Sequence, residues 1–291
     1  MTHWKWDEWV AHWAGDEDED LSLVFRQVRV QRTAKTQQSW AKDPLTRAFC
    51  NLGAYSLYEH HLNGGLPSAD VPELRLFPNM GGEHLMKLAP KVITDDQGLS
   101  DSLNRQRFAD TWAHHHSYIS DLIAYMFRSA PTLRRVRMMA AEFVRAANDL
   151  PLGELIRVAA ASEIESTLGD PIIALQTFFQ AALPRQPQIQ ESVRRIEQEM
   201  INEWAKLYAV ILSGYGLTLR PGVTSRDVAE LFDTMTEGIL LRARSSGIVP
   251  KTSIGQDILT SSILLMLPAM CDVPPEELER RRLQQPLEWP V

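Results

Sequence analysis

The sequence predicts an all-α protein. Apolar residues recur at three- and four-residue steps along most of the chain. Alternating apolar and polar runs of strand length are absent, and no Asn-Gly or Asp-Gly pair lies between two such runs. Glycines and prolines fall where the helical patterns stop, at Gly214, Gly216, Gly247 and Pro250 among others.

The elements follow in order. Trp6, Trp9, Val10 and Trp13 form an aromatic stripe on one helical face near the start. Such a stripe calls for a docking surface, on this chain's own body or on a partner. Leu62 to Gly82 is rich in glycine and proline and reads as a loop, closing an N-terminal helical extension over residues 1–82. Residues 83–129 carry three short helical segments, the first from Leu85 to Asp96. Residues 130–270 carry longer helices, broken at Pro151, Pro171, Pro184–Pro187, Pro221 and Pro250. Ile189, Val193, Ile196, Met200, Trp204, Leu207 and Ile211 mark one face of a long helix. Thr224 with Asp227 starts the next as a capping box, with Asp in place of Glu or Gln. Another helix is expected from about Ser253 to Leu267, and a proline-marked, partly mobile tail over residues 271–291.

Charge is unevenly placed. The chain of 291 residues carries −7, and residues 1–20 alone account for −6. Residues 21–47 sum to +5, so acidic and basic stretches adjoin and are able to pair. Between Ser102 and Arg145 seven arginines face three acids, a local +4 suited to phosphates. Cys50 and Cys271 are the only cysteines, and no apolar run approaches the roughly 18 residues of a membrane span, so a cytoplasmic protein without membrane contact is expected. No GxSxG, HExxH, CxxC or GxGxxG motif is present, and neither enzymatic activity nor a cofactor is expected. His114, His115 and His116 are consecutive and point about 100° apart on a helix, so no metal site is expected there.

Residues 103–123 have the layout of a helix-turn-helix: Phe108-Ala109 in a first helix, the small Ala113 at the turn, then Tyr118, Ile119, Leu122 and Ile123 on one side of a second. Leu85 to Ile123 resembles the DNA-binding domain of TetR-type transcriptional regulators. Leu219-Arg220-Pro221-Gly222, followed by Thr224, Ala229 and Gly238 in order, looks like the C-terminal domain of that family. The resemblance covers residues 83 to about 270, two-thirds of the chain. Ala113 stands where members usually have glycine, and Met126 where a lysine is usual.

The resemblance implies a TetR-like fold: a helix-turn-helix domain (83–129), an effector-binding and dimerisation domain (130–270), and the extra N-terminal region. It implies a homodimer joined through about 224–245 and 254–269. It also implies a double-stranded DNA operator and a small-molecule effector as partners, with repression the commoner outcome. On the matching positions, Asn104, Arg105 and Arg107 are candidate phosphate contacts, with Arg128 near the position of the replaced lysine. His115, His116, Ser117 and Tyr118 open the recognition helix, where side chains reach base edges. Phe143, Phe178, Phe179, Trp204, Tyr208 and Phe232 are candidates for an effector pocket. The alternative is a protein-interaction module whose helix-turn-helix no longer binds DNA.

Overall fold

A computed structural model describes residues 4–13, 19–29, 32–63, 81–94 and 96–289. Of the loop expected from Leu62 to Gly82, residues 64–80 lie outside the described residues, as do the acids Asp16, Glu17 and Asp18; Leu62 lies at the end of one helical segment and Gly82 begins the next. Among the described residues there are fourteen α-helices and no strand, only an isolated bridge between Lys251 and Asp257. The helices are α1 (Trp6–Trp13), α2 (Ala34–Ala41), α3 (Pro44–Tyr58), α4 (Gly82–Val92), α5 (Gln97–Ser102), α6 (Arg105–Thr111) and α7 (His115–Met126). They continue with α8 (Ser129–Ala147), α9 (Leu152–Gly169), α10 (Pro171–Ala182), α11 (Pro187–Gly214), α12 (Ser225–Ser246), α13 (Ile258–Cys271) and α14 (Pro275–Arg280).

The chain forms two compact units: Met1–Pro131 with Pro171–Arg194, and Thr132–Asp170 with Arg195–Val291. This division cuts the chain elsewhere than the four segments expected from sequence. The extension and the helix-turn-helix share the first unit, and the tail belongs to the second.

The first unit is built on α3. Asp43 caps it, accepting from the Leu45 amide, and Pro44 opens it with a preset φ. Twelve of its fifteen residues are buried, which makes it a central helix rather than a surface one. α7 crosses it. The Tyr118 hydroxyl donates to the Phe49 carbonyl at 3.0 Å and the Tyr125 hydroxyl to Asn51 Oδ1 at 2.8 Å. The N-terminal stripe docks on the chain itself: Trp6 and Trp9 each meet the Tyr55 ring edge-on, with centroids 5.6 Å apart. Lys42 pairs with Asp20, so the adjoining basic and acidic stretches do meet.

Residues 83–103 hold two helices where one was expected. α4 stops at Val92, and Asp96 caps a new helix, accepting from the Leu99 amide at 2.8 Å. The short segments of this region are therefore four rather than three.

In the second unit, helix ends follow the sequence cues. Thr224 and Asp227 close a reciprocal capping box, and Gly247 ends α12 in the left-handed conformation at φ 72°. α13 begins later than expected, at Ile258. Residues 250–257 instead form a turn closed by the Lys251–Asp257 bridge, with Gly255 at φ 85°, and Asp257 then caps α13. The core gathers Phe143, Leu155, Trp204, Leu207, Phe232 and Leu267. The tail packs into it: Leu278 is fully buried, and the Leu152 amide donates to the Arg281 carbonyl at 2.9 Å.

Candidate functional site

Two places in the chain carry the candidate residues, one in each unit. In the first, α6 and α7 are joined by the short connector Trp112–His114. Asn104 caps α6, its Oδ1 accepting from the Arg107 amide at 2.9 Å. Asn104 and Arg105 are exposed, as are His115 and His116 on the first turn of α7. The His114 and His116 rings stack at 5.3 Å. Among the described residues no side chain caps α7, and the Ser117 amide donates to the His114 carbonyl at 3.0 Å, which leaves the His115 and His116 amide groups for an anion.

Other expected DNA contacts are elsewhere. Ser117 and Tyr118 are buried, because α7 turns that face onto α3. Arg128 is buried too. It donates to the carbonyls of Tyr125 and Trp13, pairs with Glu19 at 3.3 Å and lies over the Tyr125 ring at 3.9 Å. Tyr118 and Arg128 thus bond within the first unit, and all three residues are turned away from solvent. Arg107 is half-buried, paired with Asp43 and stacked over Trp40 at 4.0 Å. Four of the seven arginines in the basic stretch pair with acids: Arg107 with Asp43, Arg128 with Glu19, Arg135 with Glu163 and Arg137 with Glu203. Every one of those partners lies outside the stretch in sequence, so its local +4 is not a bare cationic surface.

Asp121 escaped the sequence reading. It sits on the buried face of α7, with Oδ2 accepting from Trp112 Nε1 and Oδ1 from the Gln27 amide, both at 2.9 Å. Burial pushes its carboxyl up to about 7, against the pull of those hydrogen bonds. The available signal was an acid placed between Tyr118 and the apolar pair Leu122-Ile123 on a short helix.

In the second unit a cavity of about 100 Å³ lies among α8, α9, α11, α12 and α13. Phe143, Trp204, Tyr208 and Phe232 line it, as expected. Phe178 and Phe179 do not. α10 belongs to the first unit, where Phe178 stacks on His61 with centroids 4.6 Å apart and Phe179 is buried. Sequence reasoning also missed the polar lining: Glu163, Asp233 and Thr236. The Thr236 hydroxyl is spent on the Phe232 carbonyl at 2.8 Å. Glu163 Oε1 accepts from the Thr167 hydroxyl at 3.0 Å and faces Arg135 at 3.7 Å, while Oε2 is buried and takes no hydrogen bond. Asp233 is half-buried, and its carboxyl is pushed up to about 7 by burial and then by Glu237, Glu163, Glu197 and Glu230. Burial, with Glu163 and Asp233 nearby, also raises the Tyr208 phenol.

No protein family, curated protein or solved structure gives a match to this chain. Among the described residues no group of three or more His, Cys, Asp or Glu is placed to hold a metal ion, and no helix is long and apolar enough to cross a membrane.

Proposed function

We propose that this chain is a DNA-binding transcriptional regulator of the TetR type, a homodimer that represses by occupying an operator and is released by a small-molecule effector. One observation carries the reading. α6 and α7 are joined through three residues, and their first turns present Asn104, Arg105, His115 and His116 to solvent. DNA contact is then confined to helix starts. Arg105 and the uncapped amide groups of α7 hold phosphates, and the histidines reach base edges. The effector site is the cavity under α12. The dimer forms through α12 and α13. α13 is apolar on nearly all sides, and Leu241 and Leu265 stand exposed on the two helices.

The test is selection from a random duplex pool, followed by gel shifts at fixed salt. Arg105→Ala is expected to weaken every selected duplex alike and lower the salt slope by about one. His116→Ala is expected to cost about 1–3 kcal/mol at one position and relax the preference there. No enrichment of any duplex at low salt sinks the reading.

A second reading has its own observation: seven of the twelve residues of α7 are buried. That is a small readable face for a recognition helix. Under this reading the first unit is a protein-interaction module. Failure to select DNA together with a stable, saturable protein partner favours it.

A further inference from the structure

The cavity of the second unit is apolar over most of its wall, with Phe143, Leu155, Trp204, Ile211 and Phe232 among its lining residues. Its charged lining is Glu163 and Asp233, and among the described residues no Lys, Arg or His lines it. Arg135 faces Glu163 through one carboxylate oxygen only, leaving the other buried without a donor. A buried acceptor without a donor carries its full desolvation cost. A neutral hydrocarbon entering here leaves that oxygen unsatisfied. An anion meets two acids. An ammonium group brings three donors, one of them for the open Glu163 oxygen, and a counter-charge for Asp233.

We infer that this cavity takes a small apolar molecule with one protonated amine, its alkyl part among the aromatic side chains and its ammonium between Glu163 and Asp233. This deepens the effector part of the reading above and rests on it. Size narrows the class. About 100 Å³ is less than the roughly 150 Å³ that houses benzene in an apolar cavity, so the fit is to about four to six non-hydrogen atoms. The surrounding charge agrees. Glu230 and Glu237 on α12 and Glu197 on α11 add to the field at Asp233, and Arg135 on α8 is the cation paired with Glu163. The Asp233 carboxyl is raised first by burial and then by these neighbouring acids.

The experiment is calorimetric titration of the full chain with isobutylamine, isobutanol and isobutyrate, which differ mainly in charge. The amine is expected to bind at least about tenfold more tightly than the alcohol, and the carboxylate not at all. Asp233→Asn is expected to weaken the amine about tenfold and leave the alcohol unchanged. Glu163→Gln is a second variant with the same expectation, and thermal unfolding verifies that each variant folds. Equal binding of the three probes, no binding of any, or amine affinity indifferent to both variants overturns the inference. Gel shifts on the same preparation keep the two readings apart. Amine binding that leaves DNA affinity unchanged supports the site and overturns the effector role proposed for it.

Discussion

Asp121 ties three segments of the first unit together. It takes hydrogen bonds from Trp112 at the turn and from Gln27 near the start of the chain, while itself sitting on α7. Its carboxyl ionises near 7 when folded, against 3.8 ordinarily. Between those values the folded chain holds a proton that the unfolded chain has lost. The contribution of Asp121 to stability is therefore full at low pH and fades as pH rises through 7. Asp121→Asn keeps one acceptor and is expected to cost about 1–2 kcal/mol at about pH 5. It also removes this part of the pH dependence. Urea unfolding at about pH 5 and pH 8 is the check, and an identical pH effect in wild type and variant contradicts the assignment. At this scale the sequence says least. Tyr118 and Arg128 have the chemistry of DNA contacts, but residue type does not say which way a side chain faces. Tyr118 lies on the covered side of α7, and Arg128, just past the end of that helix, is folded inward and buried as well. A hydroxyl and a guanidinium that look functional in one dimension are here hydrogen-bonded inside the unit.

The crossing of α3 and α7 shows what packing does to a helix. Gly53 lies in the interior of α3, where alanine ordinarily stabilises by about 1 kcal/mol. Here a Cβ meets the Tyr118 hydroxyl and the Leu122 methyl groups at 3.0–3.1 Å or closer. Gly53→Ala is expected to destabilise by about 1–3 kcal/mol, reversing the sign of helix propensity. Tyr118→Phe removes the obstructing hydroxyl and one hydrogen bond, worth about 1 kcal/mol alone. The double variant is expected to be more stable than the two losses added together, and chemical denaturation of all four proteins measures that coupling. Simple additivity places the contact elsewhere. Helix ends were far more legible than helix contacts. The Thr224–Asp227 box and the Gly247 stop are local chemistry and fell where the residues put them. The start of α13 is marked in the residues by its cap, Asp257, but the backbone bridge that keeps residues 250–257 out of the helix is not. Phe178 and Phe179 pack in the first unit and not on the cavity for a related reason: helical spacing says that a face is covered, not by what.

Over the whole molecule, periodicity carries the all-helical class seen among the described residues. The partition was not readable. α10 and the first turns of α11 belong with the N-terminal helices, and only tertiary packing decides that. The surface also exposes apolar residues that a lone chain does not need. Leu241 and Leu265 are 55% and 74% exposed, so charging them removes little from the core. If α12 and α13 join two copies, the pair Leu241→Glu and Leu265→Glu yields a folded monomer, seen as a halved mass in sedimentation with unchanged helical signal. An unchanged dimer mass, or a wild type that is monomeric throughout the micromolar range, removes those helices from the interface.

The placing of indoles has an optical consequence. Trp4, Trp6, Trp9, Trp13, Trp40 and Trp112 belong to the first unit, leaving Trp204 and Trp289 for the second. Intrinsic emission therefore weights the first unit, whereas far-ultraviolet dichroism weights helices throughout. Where the two signals melt together, the units unfold as one. Where they separate, the gap between the curves reads their independence directly. Trp204, set in the cavity wall, then serves as a native lamp for whatever enters it.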